Sequence, residues 1–290
     1  MLLTLGMAVL ALAPAALSAE MKGAYEETIE RQLPFNPGAS LTLTERNGSV
    51  SIGVWDQDGI KIVAKKRMRV QHSGTWFARL IGLKVPKIES DEDAQAYLKE
   101  FTMDISGDAD GLEVKTSYPS SAGNLRFTMS YEILLPREAQ VSLHTTNGSI
   151  EVTGVKGTVE AESTNGHVTF RDISGPVHAR TTNGRIDLDG ITGEIEARTA
   201  NGRIYGRLAA LPATGADVKC RTINGRISLG VPREANFDLD IQTRSGRVSS
   251  DFELTSVTTQ KPKQLEGTIG GGGPLISLRT INGSIEIEAI

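Results

Sequence analysis

The sequence predicts an all-β protein wound as a right-handed, single-stranded β-solenoid of about 18 residues per coil, with one short capping helix. An Asn-Gly pair recurs at Asn147, Asn165, Asn183 and Asn201, always 18 residues apart, and a fixed period of this kind is typical of repeat folds. Apolar and polar residues alternate between the pairs, as in strands with one buried face. The 31 Gly and the 5% aromatic content indicate many turns and a core of small and β-branched side chains.

Each repeat predicts two short strands joined at the Asn-Gly pair. The pair returns at Asn47, Asn224 and Asn282, and Ser245-Gly246 takes the same role once. Inward positions recur at fixed offsets from the Asn, and two residues before it stand Thr145, Ser163, Thr181, Thr199, Thr222, Thr243 and Thr280. Because Asn and Gly tolerate positive φ, we expect the pair to form a tight corner in that conformation.

Two architectures fit this repeat. In a solenoid, each residue would stack on its counterpart one unit later, at the strand spacing of ~4.8 Å. In an antiparallel β-meander, the Asn-Gly pairs would be type I′ hairpin turns. The identity of the columns favours the solenoid, because like residues would then pack on like, and a meander would need a second layer that the repeat does not supply.

The N-terminal residues 1–19 have the pattern of a signal peptide. From Leu2 to Ala19 there is no charge, and small residues precede Glu20, which is typical of cleavage near Ala19. The alternative is an uncleaved membrane anchor, although Pro14 interrupts the apolar run. We therefore expect an extracytoplasmic protein, periplasmic or secreted, whose residues 20–290 form one continuous domain.

Within that domain three segments are predicted: first strand repeats at 20–64, strands with an insertion and a capping helix at 65–135, and solenoid repeats at 136–290. The segment from Ser90 to Phe101 predicts the helix, because Ser90 is a good N-cap, acidic residues follow it, and Tyr97 and Leu98 share one face with Phe101. A solenoid needs such a cap, since its open end is an unpaired edge.

A basic and aromatic insertion precedes the helix. Residues 65–87 hold seven Lys or Arg and no acid, with Trp76, Phe77 and Arg79 at its centre. One hypothesis is that these three residues contact anionic lipid, another envelope polymer or a partner protein. The alternative is a strand with solvated Lys followed by a loop that covers one end of the core.

Arginine also recurs in columns and provides a candidate anion-binding edge. Arg180, Arg198, Arg221 and Arg279 stand three residues before the Asn, and Arg185, Arg203, Arg226 and Arg247 stand two after it. Arg suits carboxylate and phosphate groups. The alternative is that stacked Arg side chains, which repel one another, are compensated by the nearby acids Asp187, Glu194, Glu196 and Asp240.

No residue pattern indicates catalysis, a cofactor or a metal. Cys220 occupies an inward column of small and aliphatic residues, so it is expected to act as a small hydrophobe. His144, His167 and His178 lie at outward positions without a ligand set around them, and Tyr205 is the one repeat aromatic that clearly projects outward. The glycine run at 269–274 precedes a strand, unlike a phosphate-binding loop. With a net charge of −4 and a pI of about 5.7, nucleic acid is not expected as a partner.

Taken together, several segments resemble the bacterial putative-adhesin family, a β-strand-repeat domain of unknown function in cell-envelope proteins. The resemblance rests on NGSVSIGVWDQDGIKIVAKKR, SDEDAQAYLKEF, YEILLPREAQVSLHTTNGSIEVTGVKGTVEAES, VPREANFDLDIQTRSGRVSSDF and GGGGPLISLRTINGSIEI. It covers Tyr25 to Ile290 and implies an extracytoplasmic β-helix-like fold with a structural or binding role. It implies no catalytic residues, and residues 73–87 depart from the usual short link. The hypotheses carried forward are an adhesin-like envelope component, a binder or processing enzyme for acidic polysaccharide, and a membrane-surface protein.

Overall fold

The computed structural model describes residues 24–70, 91–120, 125–212 and 215–290, which form 23 strands and one helix. The strands are β1 (Ala24–Leu33), β2 (Ser40–Asn47), β3 (Val50–Trp55), β4 (Ile60–Val70), β5 (Thr102–Asp108), β6 (Gly111–Ser117), β7 (Leu125–Pro136), β8 (Gln140–Asn147), β9 (Ile150–Thr153), β10 (Val159–Asn165), β11 (Val168–Arg171), β12 (Val177–Asn183), β13 (Ile186–Ile191), β14 (Ile195–Asn201), β15 (Ile204–Leu208), β16 (Val218–Asn224), β17 (Ile227–Val231), β18 (Phe237–Ser245), β19 (Val248–Ser250), β20 (Ser256–Lys261), β21 (Gln264–Ile269), β22 (Leu275–Asn282) and β23 (Ile285–Ala289), and the helix is α1 (Asp91–Glu100).

Two long sheets carry these strands. Sheet 1 has the order β1-β4-β7-β3-β9-β11-β13-β15-β17-β23-β19, and sheet 2 has the order β20-β21-β18-β22-β16-β14-β12-β10-β8-β2-β6-β5. Each repeat contributes one strand to each sheet, with the Asn-Gly corner between them. The inward Leu, Ile, Val and Ala side chains of both sheets form one continuous buried core, as the period-two alternation predicts.

Consecutive repeats stack in parallel and in register. In sheet 2, Ala161 pairs with Ala179, and Ala179 pairs with Ala197. In sheet 1, the inward residues Ile150, Val168, Ile186 and Ile204 form one row. The prediction of an all-β fold with long stacked strands is therefore confirmed, and the parallel pairing excludes the antiparallel meander for these repeats. The hand of the winding and the exact coil length stay predictions.

The order of the coils in space differs from their order in the sequence. Strands β22 and β23 lie between the coil β16–β17 and the coil β18–β19. At the other end, β2–β3 stacks directly on β8–β9, with Asn47 opposite Asn147. Because every coil presents the same corner chemistry, coils distant in sequence can stack as well as consecutive ones.

Antiparallel strands and α1 close the N-terminal end of the stack. β1 pairs with β4 and β4 with β7 in sheet 1, while β5 pairs with β6 in sheet 2. Leu98 is buried near the end of α1, as is Phe101 just beyond it. The buried Lys66 donates 3.1 Å hydrogen bonds to Glu27 and to the Leu98 carbonyl, where a cation also suits the helix C-terminus. The predicted capping helix is therefore present, and the proposed N-cap Ser90 lies outside the described residues.

The hairpin β20–β21 covers the opposite end. The Val248 N–H donates to the Pro262 carbonyl at 3.2 Å, and the Thr243 N–H donates to the Lys263 carbonyl at 2.9 Å. The edge strand β20 has a register shift between Val257 and Thr259. Such an irregularity discourages another chain from pairing with the edge.

Candidate functional site

The Asn residues of the corners form a continuous amide ladder. Six of them, from Asn147 to Asn282, donate a side-chain N–H to the side-chain oxygen of the Asn in the neighbouring coil, at 2.8–2.9 Å, and Asn47 at the end of the ladder accepts from Asn147. The Asn ladder comprises Asn47, Asn147, Asn165, Asn183, Asn201, Asn224 and Asn282. The expectation that the Asn-Gly pairs adopt positive φ is wrong, because among the described residues only Asp172 does so without being Gly, and of the Gly residues in these pairs only Gly283, with a φ of 159°, is positive. Asn is required here for its amide, which both donates and accepts.

The buried Thr and Ser two residues before each Asn also bond between coils. The Thr181 hydroxyl donates to the Gly166 carbonyl and the Thr199 hydroxyl to the Gly184 carbonyl, both at 2.9 Å. The same bond, at 2.8–3.5 Å, is made by Thr145, Ser163, Thr222, Thr243 and Thr280. These hydroxyls are buried and therefore need a partner within the protein.

The Gly after each Asn lets successive corners approach closely. A Cβ placed on Gly184 would lie 1.9 Å from the Gly166 carbonyl oxygen, and one on Gly202 would lie 1.9 Å from the Gly184 oxygen. Thr, Asn and Gly of the repeated motif are thus all engaged in contacts between coils. The motif that dominates the sequence is architecture, so a binding site has to be sought on the outer surfaces.

The first candidate surface is the face column, formed by Arg180, Arg198, Arg221 and Arg279 on the outer face of sheet 2. These residues are exposed and are direct neighbours in adjacent strands. Arg180 lies 3.8 Å from Glu162, Arg279 lies 2.6 Å from Asp240, and Arg198 pairs with Glu196. Acids therefore compensate three of the four, while Arg221 has no acid within 4.0 Å among the described residues.

The second candidate surface is the corner column, formed in spatial order by His167, Arg185, Arg203, Arg226, Ser284 and Arg247. Arg185 forms a 2.5 Å ion pair with Asp187. Arg203, Arg226 and Arg247 form no ion pair within the described part of the chain. The sequence repeat places Arg226 and Arg247 in consecutive coils, whereas the inserted coil β22–β23 separates them by Ser284.

Not every acid expected to neutralise an arginine does so. Glu194 forms no ion pair with an Arg in the described ranges but lies near Lys219. The hydrogen bond from Lys219 to Asp217, at 2.7 Å, is the main cause that raises the pKa of Lys219. Charge compensation on this surface therefore runs within strands as well as between them.

The remaining sequence candidates lie where the alternation predicts. Cys220 is 2% exposed, and burial raises the pKa of its thiol to about 12, so it behaves as a core residue. Tyr205 is exposed. His144 lies 3.7 Å from Glu162, and His178 lies 3.4 Å from Glu196. Within the described ranges, no three His, Cys, Asp or Glu side chains are grouped so that they could hold a metal ion.

One buried polar cluster was missed from the sequence. Glu45, 3% exposed, occupies the inward column that holds Thr or Ser in the later coils. Its carboxylate accepts hydrogen bonds from the hydroxyls of Tyr118 and Thr116 and, at 2.8 Å, from the Asn47 N–H. Burial, followed by the Glu45 charge, raises the pKa of Tyr118. The replacement of Thr by Glu in this column was the signal that could have revealed the cluster.

The Glu45 cluster continues into the core of the N-terminal end. The Tyr131 hydroxyl lies 2.6 Å from that of Thr116, and burial raises the pKa of Tyr131. The Arg46 guanidinium lies 4.6 Å from the centre of the Tyr118 ring, a cation–π contact. Because the carboxylate accepts three hydrogen bonds from this chain and Thr116 contacts Tyr131, the cluster ties the first coil to β6 and β7.

The predicted lipid or partner contact at Trp76, Phe77 and Arg79 lies outside the described residues and stays a prediction. The same holds for the signal peptide at residues 1–19. In the part of the chain that the structure describes, no helix has the length and apolar character needed to cross a membrane.

Comparison with known proteins gives a family match. A family model described as Toastrack DUF4097 matches residues 39–288. The chain is also similar to a putative cell adhesion protein from Clostridium sporogenes, with a TM-score of 0.36 and 11% identity over 91% of this chain and 100% of that one. A putative adhesin from Bacteroides fragilis gives a TM-score of 0.40 and 11% identity, over 90% and 97% of the two chains. No protein with a curated description matches the sequence.

Proposed function

Because the chain belongs to the Toastrack DUF4097 family, as its motifs predicted, we propose that it is a non-catalytic, adhesin-like structural or binding component of the bacterial cell envelope. The observation that carries this proposal is the use of the repeated Thr, Asn and Gly in coil-to-coil contacts. The repeat builds two long, regular outer faces lined with polar side chains. A surface of this kind suits repeated contacts with an extended partner.

The chemistry of the described side chains supports a non-catalytic role. The thiol of Cys220 is buried and protonated at neutral pH, and nucleophilic cysteines need an accessible thiolate. Several outer-face acids bind Arg or Lys of the same face. These acids act as charge partners within the surface, which is a structural use of carboxylates.

The proposal includes export, with cleavage near Ala19 and a right-handed winding of about 18 residues per coil. Fractionation of a bacterium that expresses the full chain tests the location, and N-terminal sequencing of the product tests the cleavage. We expect the protein in an extracytoplasmic fraction with Glu20 at its N-terminus. Recovery from the cytoplasm with residues 1–19 intact would overturn the envelope role.

A direct assay tests the absence of catalysis. The purified protein is incubated with a panel of acidic polysaccharides, and new reducing ends and unsaturated products are measured against a heat-denatured sample. We expect no difference between the two samples. Cleavage that increases in proportion to the amount of native protein would replace this proposal with an enzyme.

The second candidate function is binding of acidic polysaccharide, and the unpaired arginines favour it. Arg203 and Arg226 at the corner and Arg221 on the face have no acidic partner among the described residues. A glycan array compares the wild type with a variant in which Arg185, Arg203 and Arg226 are replaced by Glu. Loss of binding to acidic glycans is expected, and unchanged binding would remove this edge as the contact surface.

A further inference from the structure

The insertion of β22–β23 creates a gap in the corner column. The Ile227 N–H donates to the Ser284 carbonyl at 3.1 Å, and the Ile285 N–H donates to the Arg247 carbonyl at 2.9 Å. Ser284 therefore has Arg226 on one side and Arg247 on the other. The two Arg backbones are separated by two strand spacings, or ~9.6 Å, with a small side chain between them.

The gap opens into a surface cleft of about 470 Å³. Its lining consists of Arg226, Gly246, Arg247, Ser249, Ser284 and Glu286. Within the described residues, no acid lies within 4.0 Å of either guanidinium. Both arginines therefore keep their donors for a ligand, and the side chains between them leave space for it.

The chemistry of the lining selects one class of ligand. Two guanidinium groups suit a carboxylate, which each can bind through paired N–H donors. The hydroxyls of Ser249 and Ser284 both donate and accept hydrogen bonds, and Glu286 accepts them from hydroxyl groups. The negative charge of Glu286 repels a doubly charged phosphate more strongly than a singly charged carboxylate in the same cleft.

We propose that this cleft, the Arg226–Arg247 gap, binds a carboxylate-bearing sugar of an acidic polysaccharide. The two arginines hold the carboxylate, while Ser249, Ser284 and Glu286 bind the ring hydroxyls. This inference rests on the proposed binding role and gives it a discrete site. This site differs from the corner column as a whole, because the ligand is recognised at the gap beside Ser284.

Other positions of the corner column lack this arrangement. Arg185 is held by Asp187 at 2.5 Å. Arg203 lies directly between Arg185 and Arg226, so an Arg side chain occupies the place that Ser284 holds in the gap. A general attraction of anions to positive charge would act along the whole column, whereas the gap predicts binding at one place.

Titration calorimetry with an oligogalacturonate tests the proposal. The neutral methyl ester of the same oligosaccharide and inorganic phosphate serve as comparison ligands. We expect the acid to bind and the methyl ester and phosphate to bind at least tenfold more weakly. Arg226→Gln and Arg247→Gln should each weaken binding of the acid by about tenfold, as expected for a lost charge-assisted hydrogen bond. Arg207→Gln, which changes an exposed Arg of β15 outside both Arg columns, is the matched control and should leave affinity unchanged.

The decisive variant is Ser284→Arg, which adds a positive charge but fills the gap. Binding at the gap predicts a loss of about tenfold or more, whereas general attraction predicts tighter binding. Tighter binding by Ser284→Arg, equal binding of phosphate, or unchanged affinity in both Arg variants would each overturn the proposal. Circular dichroism checks the fold of each variant, and if Ser284→Arg does not fold, the two Arg variants decide the result.

Failure of this inference is distinguishable from failure of the proposed function. A wild-type protein found in the envelope fraction that does not bind oligogalacturonate would refute the gap site alone. A cytoplasmic protein that binds the acid would refute the envelope role and leave the site intact.

Discussion

Replacement of Gly184 by Ala should strongly destabilise the stack. Gly184 follows Asn183 at a corner in the middle of the repeats, and an added Cβ would lie 1.9 Å from the Gly166 carbonyl oxygen. Since Cβ atoms essentially never approach another heavy atom within 3.0 Å, the two corners must separate by about 1 Å in this variant. The contacted oxygen is a backbone atom and the position of the Cβ is fixed by the backbone, so no side-chain rotation can relieve the overlap.

The cost follows from the bonds that join the two corners. Separation weakens the Asn183 amide bond to Asn165 at 2.8 Å, the Thr181 hydroxyl bond to Gly166 at 2.9 Å, and the bond from the Val168 N–H to the Arg185 carbonyl at 3.1 Å. With a net contribution of ~1 kcal/mol for each bond, the free energy of unfolding should fall by ~3 kcal/mol. The lower entropy of the unfolded Ala chain offsets only ~0.4–1 kcal/mol of this.

Urea denaturation followed by circular dichroism measures the effect. We expect the midpoint of Gly184→Ala to fall by about 0.7–0.9 M, given a net loss of ~2–2.6 kcal/mol and a slope of ~3 kcal/mol per M. Gly271→Ala is the matched control, because an added Cβ there meets nothing within 4 Å. If the two variants differ by less than ~1 kcal/mol, which is within the range of ordinary Gly-to-Ala effects, close stacking is not the reason for Gly at the corner.

Three further predictions concern other parts of the stack. Asn201→Ala removes two amide bonds of 2.9 Å, and thermal unfolding should show a loss of about 1–3 kcal/mol. The pKa of Cys220 is raised by burial from 9.0 to about 12. Because the thiol then ionises more readily in the unfolded chain, the free energy of unfolding of the wild type should fall as pH rises from 9 towards 12. For Cys220→Ala the fall over the same pH range should be smaller. Glu45→Ala removes the buried acceptor of three hydrogen bonds, from Thr116, Tyr118 and the Asn47 N–H, which should cost about 3 kcal/mol in urea unfolding.

Each of these predictions has a control and a contradicting result. Thr182→Ala changes an exposed residue beside the Asn ladder. If its loss of stability equals that of Asn201→Ala, the Asn ladder does not stabilise the stack. For Cys220, parallel stability curves of the wild type and the variant between pH 9 and 12 would contradict burial of the thiol. Glu132→Ala removes an exposed acid, and an effect as large as that of Glu45→Ala would argue against the buried network.

The sequence contained enough information for the register of the repeats. The inward row of Ile150, Val168 and Ile186 was predictable because a β-branched apolar residue recurs at one offset from each Asn. The helix at Asp91–Glu100 was predictable from its own apolar face and N-terminal acids. Both signals are local, so neither depends on knowing which coil lies next to which.

The order of the coils was not predictable, for the same physical reason that made the register clear. All coils carry the same corner, so the columns cannot tell whether Asn224 contacts Ser245 or Asn282. In the structure Asn224 accepts from Asn282 at 2.8 Å, and this exchange creates the gap at Ser284. The role of Asn was also misread, because a residue that tolerates positive φ can equally serve as a stacked amide.

Disulfide trapping between coils tests the central claim of in-register stacking most directly. Ile223 and Ile281 are 44% and 42% exposed and lie opposite each other in adjacent strands, while Arg244 lies one strand further on. Paired Cys replacements at Ile223 and Ile281 should oxidise to a disulfide, because adjacent strands are ~4.8 Å apart. Replacements at Ile223 and Arg244 should stay reduced, since two strand spacings exceed the ~7 Å limit for a bridge. The reverse result, a disulfide between positions 223 and 244 and none between 223 and 281, would contradict the account.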